Sequence, residues 1–121
     1  MYRLMGLDML LLSTRGRKTG ELRQTPLLYI EEDGNYYCVA SFGGNDRHPD
    51  WFLNILSAPR VQLSVKQKHI NATATKISGQ ERESMWKKLT GYYPNFNSYQ
   101  NNTIRIIPVI KFKPTKIDLP G

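Results

Sequence analysis

The sequence predicts a mainly β chain with helices, an α+β arrangement in which about six mostly antiparallel strands close into a compact barrel. Three observations predict it. Apolar and polar residues alternate with period two in several short runs, tight-turn residues join two pairs of those runs, and helical spacing is confined to short stretches. At 121 residues the chain fits one domain, 1–121, around one continuous core.

Residues 7–14 form an apolar run ending in small hydroxyl residues, and residues 25–31 and 35–41 are rich in Tyr, Val, Ile and Leu; all three read as strands. Glu32-Asp33-Gly34 joins the second to the third, with Asp-Gly supplying the positive φ of a tight hairpin. Residues 42–50 read as a loop, and Pro49 suits a first helical turn, where its missing N–H is not needed. Trp51, Phe52, Ile55 and Leu56 then fall at helical spacing until Ala58-Pro59 stops the helix.

Val61, Leu63 and Val65 alternate with Gln62, Ser64 and Lys66, and Ile70, Ala72 and Ala74 repeat the pattern after a polar turn, which makes a second hairpin. Ser78 and Glu81 have the spacing of a capping box, and Met85, Trp86 and Leu89 form one face of a helix reaching about Gly91. Residues 103–113 read as a last strand, placed at an edge or bulge by Pro108, which lacks a ladder donor.

No apolar run approaches the roughly 20 residues of a membrane span, and no signal-peptide pattern follows Met9–Leu12. Cys38 is the only cysteine, which excludes an internal disulfide and a cysteine cage for zinc, and a cytoplasmic location is expected. His48 and His69 have no neighbours at ligand spacing, so no metal is expected. The net charge of +7 draws acidic partners: nucleic acid, anionic lipid, or a small molecule bearing phosphate or carboxylate.

The densest signal is the turn from Thr14 to Arg23, Thr-Arg-Gly-Arg-Lys-Thr-Gly-Glu-Leu-Arg, with four cations and two glycines. Such a turn makes a concave site for phosphate or carboxylate oxygens, or else it is a solvated basic hairpin. It is not a Walker loop, because Lys18 does not follow a glycine. Ala40-Ser41-Phe42-Gly43-Gly44 at a strand end lets a planar ligand approach the backbone, or is a plain loop. Trp51 and Asn54 share a helix face, with Trp51 by default in the core. Tyr93, Phe96 and Tyr99 recur every third residue, a stripe that either packs or offers phenols to a substrate.

Taken together, the run from Leu12 to Leu27, Ala40-Ser41-x-Gly-Gly, and His48-Pro49-x-Trp51-x-x-Asn54 resemble the deazaflavin-dependent nitroreductase family in order and spacing, over about residues 9–114. The resemblance implies a split β-barrel related to flavin-reductase and FMN-binding barrels, and an oxidoreductase that uses coenzyme F420, a deazaflavin with a phosphate and an oligoglutamate tail. It implies Arg17, Lys18, Thr19 and Arg23 as contacts to tail and phosphate. Thr25, Pro26, Leu27 and Tyr29 fall in the segment that borders the cofactor, and Ala40, Ser41, Phe42, Trp51 and Asn54 match cofactor-lining positions.

Tyr93, Phe96 and Tyr99 match the aromatic positions that line the substrate pocket together with Ser41. Two departures bear on the acceptor: Phe96 replaces a tyrosine, and Phe42 stands where the nearest branch commonly has lysine. The family also tends to begin with an extra N-terminal segment that this chain lacks almost entirely, so a truncated N-terminus is an expectation. By this reading reduced F420 lies across residues 41–44 and gives hydride to an acceptor near Tyr93 and Tyr99, with Ser41 and the phenols polarising it or relaying a proton.

The expected partners are a small organic acceptor (quinone, nitro compound or activated alkene), no nucleic acid, a peripheral membrane contact if the acceptor is a quinone, and a second copy of the chain in a homodimer. One alternative keeps the fold and binds or carries FMN. Another class is a basic barrel that binds nucleic acid through its loops and exposed rings such as Tyr36 and Trp51.

Overall fold

A computed structural model describes residues 3, 4 and 7–115. Its strands are β1 (Arg3–Leu4), β2 (Leu7–Arg15), β3 (Leu22–Leu28), β4 (Ile30–Glu32), β5 (Asn35–Val39), β6 (Arg60–Val65), β7 (Lys68–Lys76) and β8 (Val109–Pro114). Three helices, α1 (Asp50–Ser57), α2 (Gly79–Tyr92) and α3 (Asn95–Asn101), and a 3-10 turn at Phe42–Gly44 complete the described part. All strand pairs are antiparallel, in the order β1-β2-β6-β7-β8-β5-β4, with β3 also on β2. The result is a curled half-barrel, as the alternation predicts.

The inner face of the sheet carries Leu10, Leu12, Val61, Leu63, Val65, Ala72, Ala74, Ile110 and Phe112, and α1 plugs the barrel with Trp51, Phe52 and Ile55. A second apolar cluster lies outside the sheet, where Met85 and Leu89 of α2 and Phe96 of α3 cover Tyr37, Val39 and Val109. β5 is therefore buried on both faces, Tyr36 and Cys38 inward and Tyr37 and Val39 outward. This is why its sequence reads as a nearly continuous apolar run. Burial pushes the Cys38 thiol well above its ordinary value, as expected of an inert core thiol.

Both expected hairpins form. Asp33 and Gly34 have φ of 54° and 80° between β4 and β5, and Lys66 and Gln67 take φ of 49° and 68° between β6 and β7 without a glycine. Four details depart from the sequence reading. The run 25–31 divides at Tyr29, because residues 22–28 pair with β2 whereas residues 30–32 pair with β5. The third strand stops at Val39, and Ser41 is already helical, with φ −78° and ψ −36°.

Ser78 occupies the N-cap of α2 but makes no side-chain cap bond. The Glu81 carboxylate instead accepts from Lys111 Nζ at 3.0 Å and Tyr37 Oη at 3.4 Å, anchoring α2 to the sheet. Finally, the last strand begins at Val109, not at residue 103. Upstream, Ile107 N–H and Arg105 C=O are taken by the side-chain amide of Gln100, at 2.9 and 2.8 Å, so they do not join a ladder.

Phe112 is fully buried and its ring lies 6.4 Å from that of Trp51, joining the sheet to the plug helix. Phe112→Ala should therefore lower unfolding free energy by about 3–5 kcal/mol, read from the denaturant midpoint at unchanged slope.

Candidate functional site

The turn between β2 and β3 is closed by its own backbone: Gly16 N–H donates to Glu21 C=O and Gly20 N–H to Gly16 C=O, both at 2.8 Å. It is fixed to the barrel by one buried side chain. Asn54, 4% exposed on α1, accepts at Oδ1 from both the backbone N–H and the guanidinium of Arg17, each at 3.1 Å. A second Arg17 nitrogen lies 3.6 Å from the Asp50 carboxylate. The helix plugging the barrel thus also sets the position of the basic turn.

Between turn and helix lies a cavity of about 470 Å³, lined by Gly16, Arg17, Lys18, Thr19, Arg23, Arg47, Asp50, Trp51 and Asn54. Six of these, Arg17, Lys18, Thr19, Arg23, Trp51 and Asn54, are the residues whose pattern pointed to a cofactor. Four guanidinium or ammonium groups share the cavity with one carboxylate. Arg23 is partly offset by Glu21, at 3.5 Å, whereas Lys18 has no partner among the described residues. The donor set suits an elongated ligand with several negative charges. A larger cavity of about 610 Å³ opens at the end of β2, the start of β6 and the middle of β7, and among the described residues the cations lining it are Arg15 and Arg60.

The strand end forms a separate part of the site. Phe42, Gly43 and Gly44 all have positive φ, of 46°, 62° and 79°. A Cβ on Gly44 would lie 2.9 Å from both Cα and the carbonyl oxygen of Tyr99, so only glycine lets this backbone rest on α3. The expected aromatic stripe forms there. Tyr93 lies 4.9 Å from Phe96 and 6.4 Å from Tyr99 between ring centroids, the two phenol oxygens are 3.4 Å apart, and Asn95 Nδ2 donates to Tyr93 Oη at 3.0 Å. The Tyr99 hydroxyl is held above its ordinary pKa, first by that phenol contact and then by burial. It is a protonated donor at neutral pH. Phe96 is buried beneath the pair.

Other expected positions lie off the cavity. Tyr29 is 5% exposed and packs edge-on against Tyr36 with centroids 5.7 Å apart; burial, then the charges of Asp8 and other neighbours, pushes its pKa up to about 12. It belongs to the barrel core. Ala40 is fully buried, and Thr25, Pro26 and Leu27 lie on β3 outside the lining. Ser41 is half-buried and Phe42 is exposed at the strand end. Tyr36 and Trp51, the rings read as exposed in the nucleic-acid alternative, are both buried.

Arg47 and Asp50 line the cavity and were not singled out from sequence. Arg105 was missed as well. Its guanidinium donates to the carbonyls of Ala40, Ser41 and Asn45 at 3.2, 2.6 and 2.7 Å, and lies 3.3 Å from His48 Nδ1. His48 is held below its ordinary pKa, first by burial and then by Arg105 and Lys76. The folded chain then binds this proton less readily than the unfolded chain, so stability is lost as pH falls through about 6.5 and levels off below the folded value. Melting temperature should drop between about pH 7.5 and 5, and His48→Gln should make that drop shallower; identical pH slopes for the two proteins would contradict the assignment.

Residues 1–114 match the family described as F420H(2)-dependent quinone reductase. A Mycobacterium tuberculosis F420H(2)-dependent quinone reductase is 35% identical over 104 residues, covering 84% of this chain and 70% of its own. A solved F420-H2 dependent reductase superposes with a TM-score of 0.81 at 38% identity, over 88% of this chain and 94% of that one. A structure described as a domain-swapped dimer gives the same score and identity over 88% of this chain and 80% of that one. A haem-storage protein from Vibrio cholerae shares the fold alone, at 9% identity and a TM-score of 0.71. With the barrel and the cationic turn in place, the match over nearly the whole chain settles its kinship: the chain belongs to the F420H(2)-dependent quinone reductase family.

Proposed function

We propose that this chain is an F420-dependent reductase that transfers hydride from reduced F420 to a small quinone-like acceptor. The observation that carries the reading is the cavity beside the turn, where Arg17, Lys18, Arg23 and Arg47 outnumber Asp50. This donor set fits the cofactor's phosphate and glutamate carboxylates and gives a neutral ligand little to bind.

When bound, F420 supplies a two-electron hydride donor, and the protein's part is to position and polarise. In this assignment Arg17, Lys18, Thr19 and Arg23 hold phosphate and tail, and Arg47 adds a cation that the sequence pattern left out. Trp51 forms the apolar wall, and Asn54 acts through Arg17. In the same assignment Ser41 and the paired phenols of Tyr93 and Tyr99, 3.4 Å apart, would donate to an acceptor oxygen. One hydride and one proton convert a quinone to its quinol, and the Tyr99 hydroxyl, protonated at neutral pH as any phenol with a raised pKa is, serves as a hydrogen-bond donor for the acceptor oxygen.

Phe42, Ile104 and Ile106 are large exposed apolar residues on the loops around the strand end. They would give a lipid-soluble quinone an apolar approach, and the proposal includes peripheral contact of this face with a membrane. It also includes a cytoplasmic setting and pairing of two copies, for which the domain-swapped relative offers a precedent.

The purified chain should oxidise reduced F420 when a soluble quinone is added, followed by the return of deazaflavin absorbance. Arg17→Ala combined with Lys18→Ala should weaken F420 binding roughly 10- to 100-fold in a fluorescence titration, with the melting temperature nearly kept. Tight FMN binding without F420 binding, or unchanged F420 affinity in the double variant, would overturn the assignment.

A further inference from the structure

We infer that Arg105 is a positioning residue: its guanidinium locks the Ser41–Asn45 strand end onto the aromatic helix, so that Ser41 and the phenols of Tyr93 and Tyr99 form one rigid unit. This rests on the reading of that region as the hydride-acceptor site.

Three observations carry it. The strand end is conformationally demanding, with three successive left-handed residues that include the non-glycine Phe42 at φ 46°. Its own bonds are few: Gly44 N–H to Ser41 C=O at 3.0 Å and Asn45 N–H to Phe42 C=O at 3.1 Å. From outside, Ala40 N–H donates to Pro108 C=O at 2.9 Å and Thr103 Oγ1 to the Asp46 carboxylate at 2.6 Å on the two flanks, while the planar fork of Arg105 alone among the described side chains spans the segment itself, on the carbonyls of Ala40, Ser41 and Asn45. The three carbonyls are met by three different nitrogens, Nε, Nη1 and Nη2, held in one plane, whereas the three N–H donors of an ammonium group radiate from a single atom on a flexible stem and cannot span the same spread.

The second observation is that Arg105 is itself tied to α3. Gln100 donates from Nε2 to Arg105 C=O at 2.8 Å and accepts at Oε1 from Ile107 N–H at 2.9 Å. The circuit therefore runs from α3 through Gln100 to Arg105, across to the strand end, and back to α3 where Gly44 rests on the Tyr99 backbone. The third is that this anchor is distinct from the cationic cavity, whose lining does not include Arg105. Loss of the fork should disturb the reacting geometry and leave the grip on the cofactor tail intact.

The experiment compares wild type, Arg105→Lys and Arg105→Ala in three readouts: F420 affinity by tryptophan quenching, kcat and KM for quinone reduction, and amide hydrogen exchange at residues 42–45. Arg105→Lys keeps the charge and should lose about tenfold or more in kcat while F420 affinity, set mainly by the tail cavity and only in part by residues 41–44, falls by no more than about threefold, because a small displacement of reacting groups is costly. Exchange at residues 42–45 should quicken in the same variant, and added guanidinium ion should restore part of the lost kcat in Arg105→Ala. The inference is overturned if Arg105→Lys keeps kcat within about twofold of wild type, or if kcat and F420 affinity fall together. If Arg105→Ala does not fold, the lysine variant and its exchange data decide alone. A wild-type chain that neither binds nor oxidises F420 would instead defeat the functional reading, and faster exchange at residues 42–45 in Arg105→Lys would still report on the lock itself.

Discussion

A buried amide on the plug helix decides where the positive charge of this molecule is presented. Asn54 is 4% exposed and gives both of its short contacts to Arg17, one to the backbone and one to the guanidinium. The turn closes on its own backbone, but Asn54 is what fixes that closed turn, with its repelling cations, against the barrel. Because Trp51 and Ile55 on the same helix are set in the barrel core, the turn inherits the rigidity of the core. The cavity is a consequence of that coupling.

The two halves of the site are held by different physics. The cavity half depends on charge: several cations face a single carboxylate in a half-open space, and attraction for a polyanion there is screened by salt. The strand-end half depends on close packing and hydrogen bonds, with glycine backbone on α3 and the Arg105 fork across three carbonyls. β5 leads directly into the strand end and is buried on both faces, so the region proposed to receive the acceptor hangs from an enclosed strand of the sheet. On that proposal, binding and chemistry should respond separately to substitution.

Much of this was legible in the sequence, and the limits have physical causes. The Asp33-Gly34 hairpin could be read because its geometry is decided by two adjacent residues. The cluster of Arg17, Lys18, Thr19, Arg23, Trp51 and Asn54 could be read because its spacing matched a known pattern, though not that Asn54 turns toward Arg17. Arg105 was invisible for the opposite reason. It sits among Ile104, Ile106 and Ile107 in a run that reads as strand, and its partners lie about sixty residues away in the chain. The same long-range contacts, with Gln100 taking the backbone groups of 105 and 107, explain why residues 103–108 are not strand. Tyr29 continues the segment 25–27 in sequence, yet the split between β3 and β4 turns it into the core beside Tyr36.

The claim on which the account turns is that the cationic cavity grips the acidic tail of the cofactor. The most direct measurement compares the affinity for F420 with that for the same deazaflavin chromophore lacking phosphate and glutamates, at low and high salt, using quenching of tryptophan fluorescence, to which Trp51 and Trp86 both contribute, as the signal. The account predicts a large preference for the tailed cofactor at low salt that shrinks as salt rises. Equal affinity for the two at both salt concentrations would contradict it.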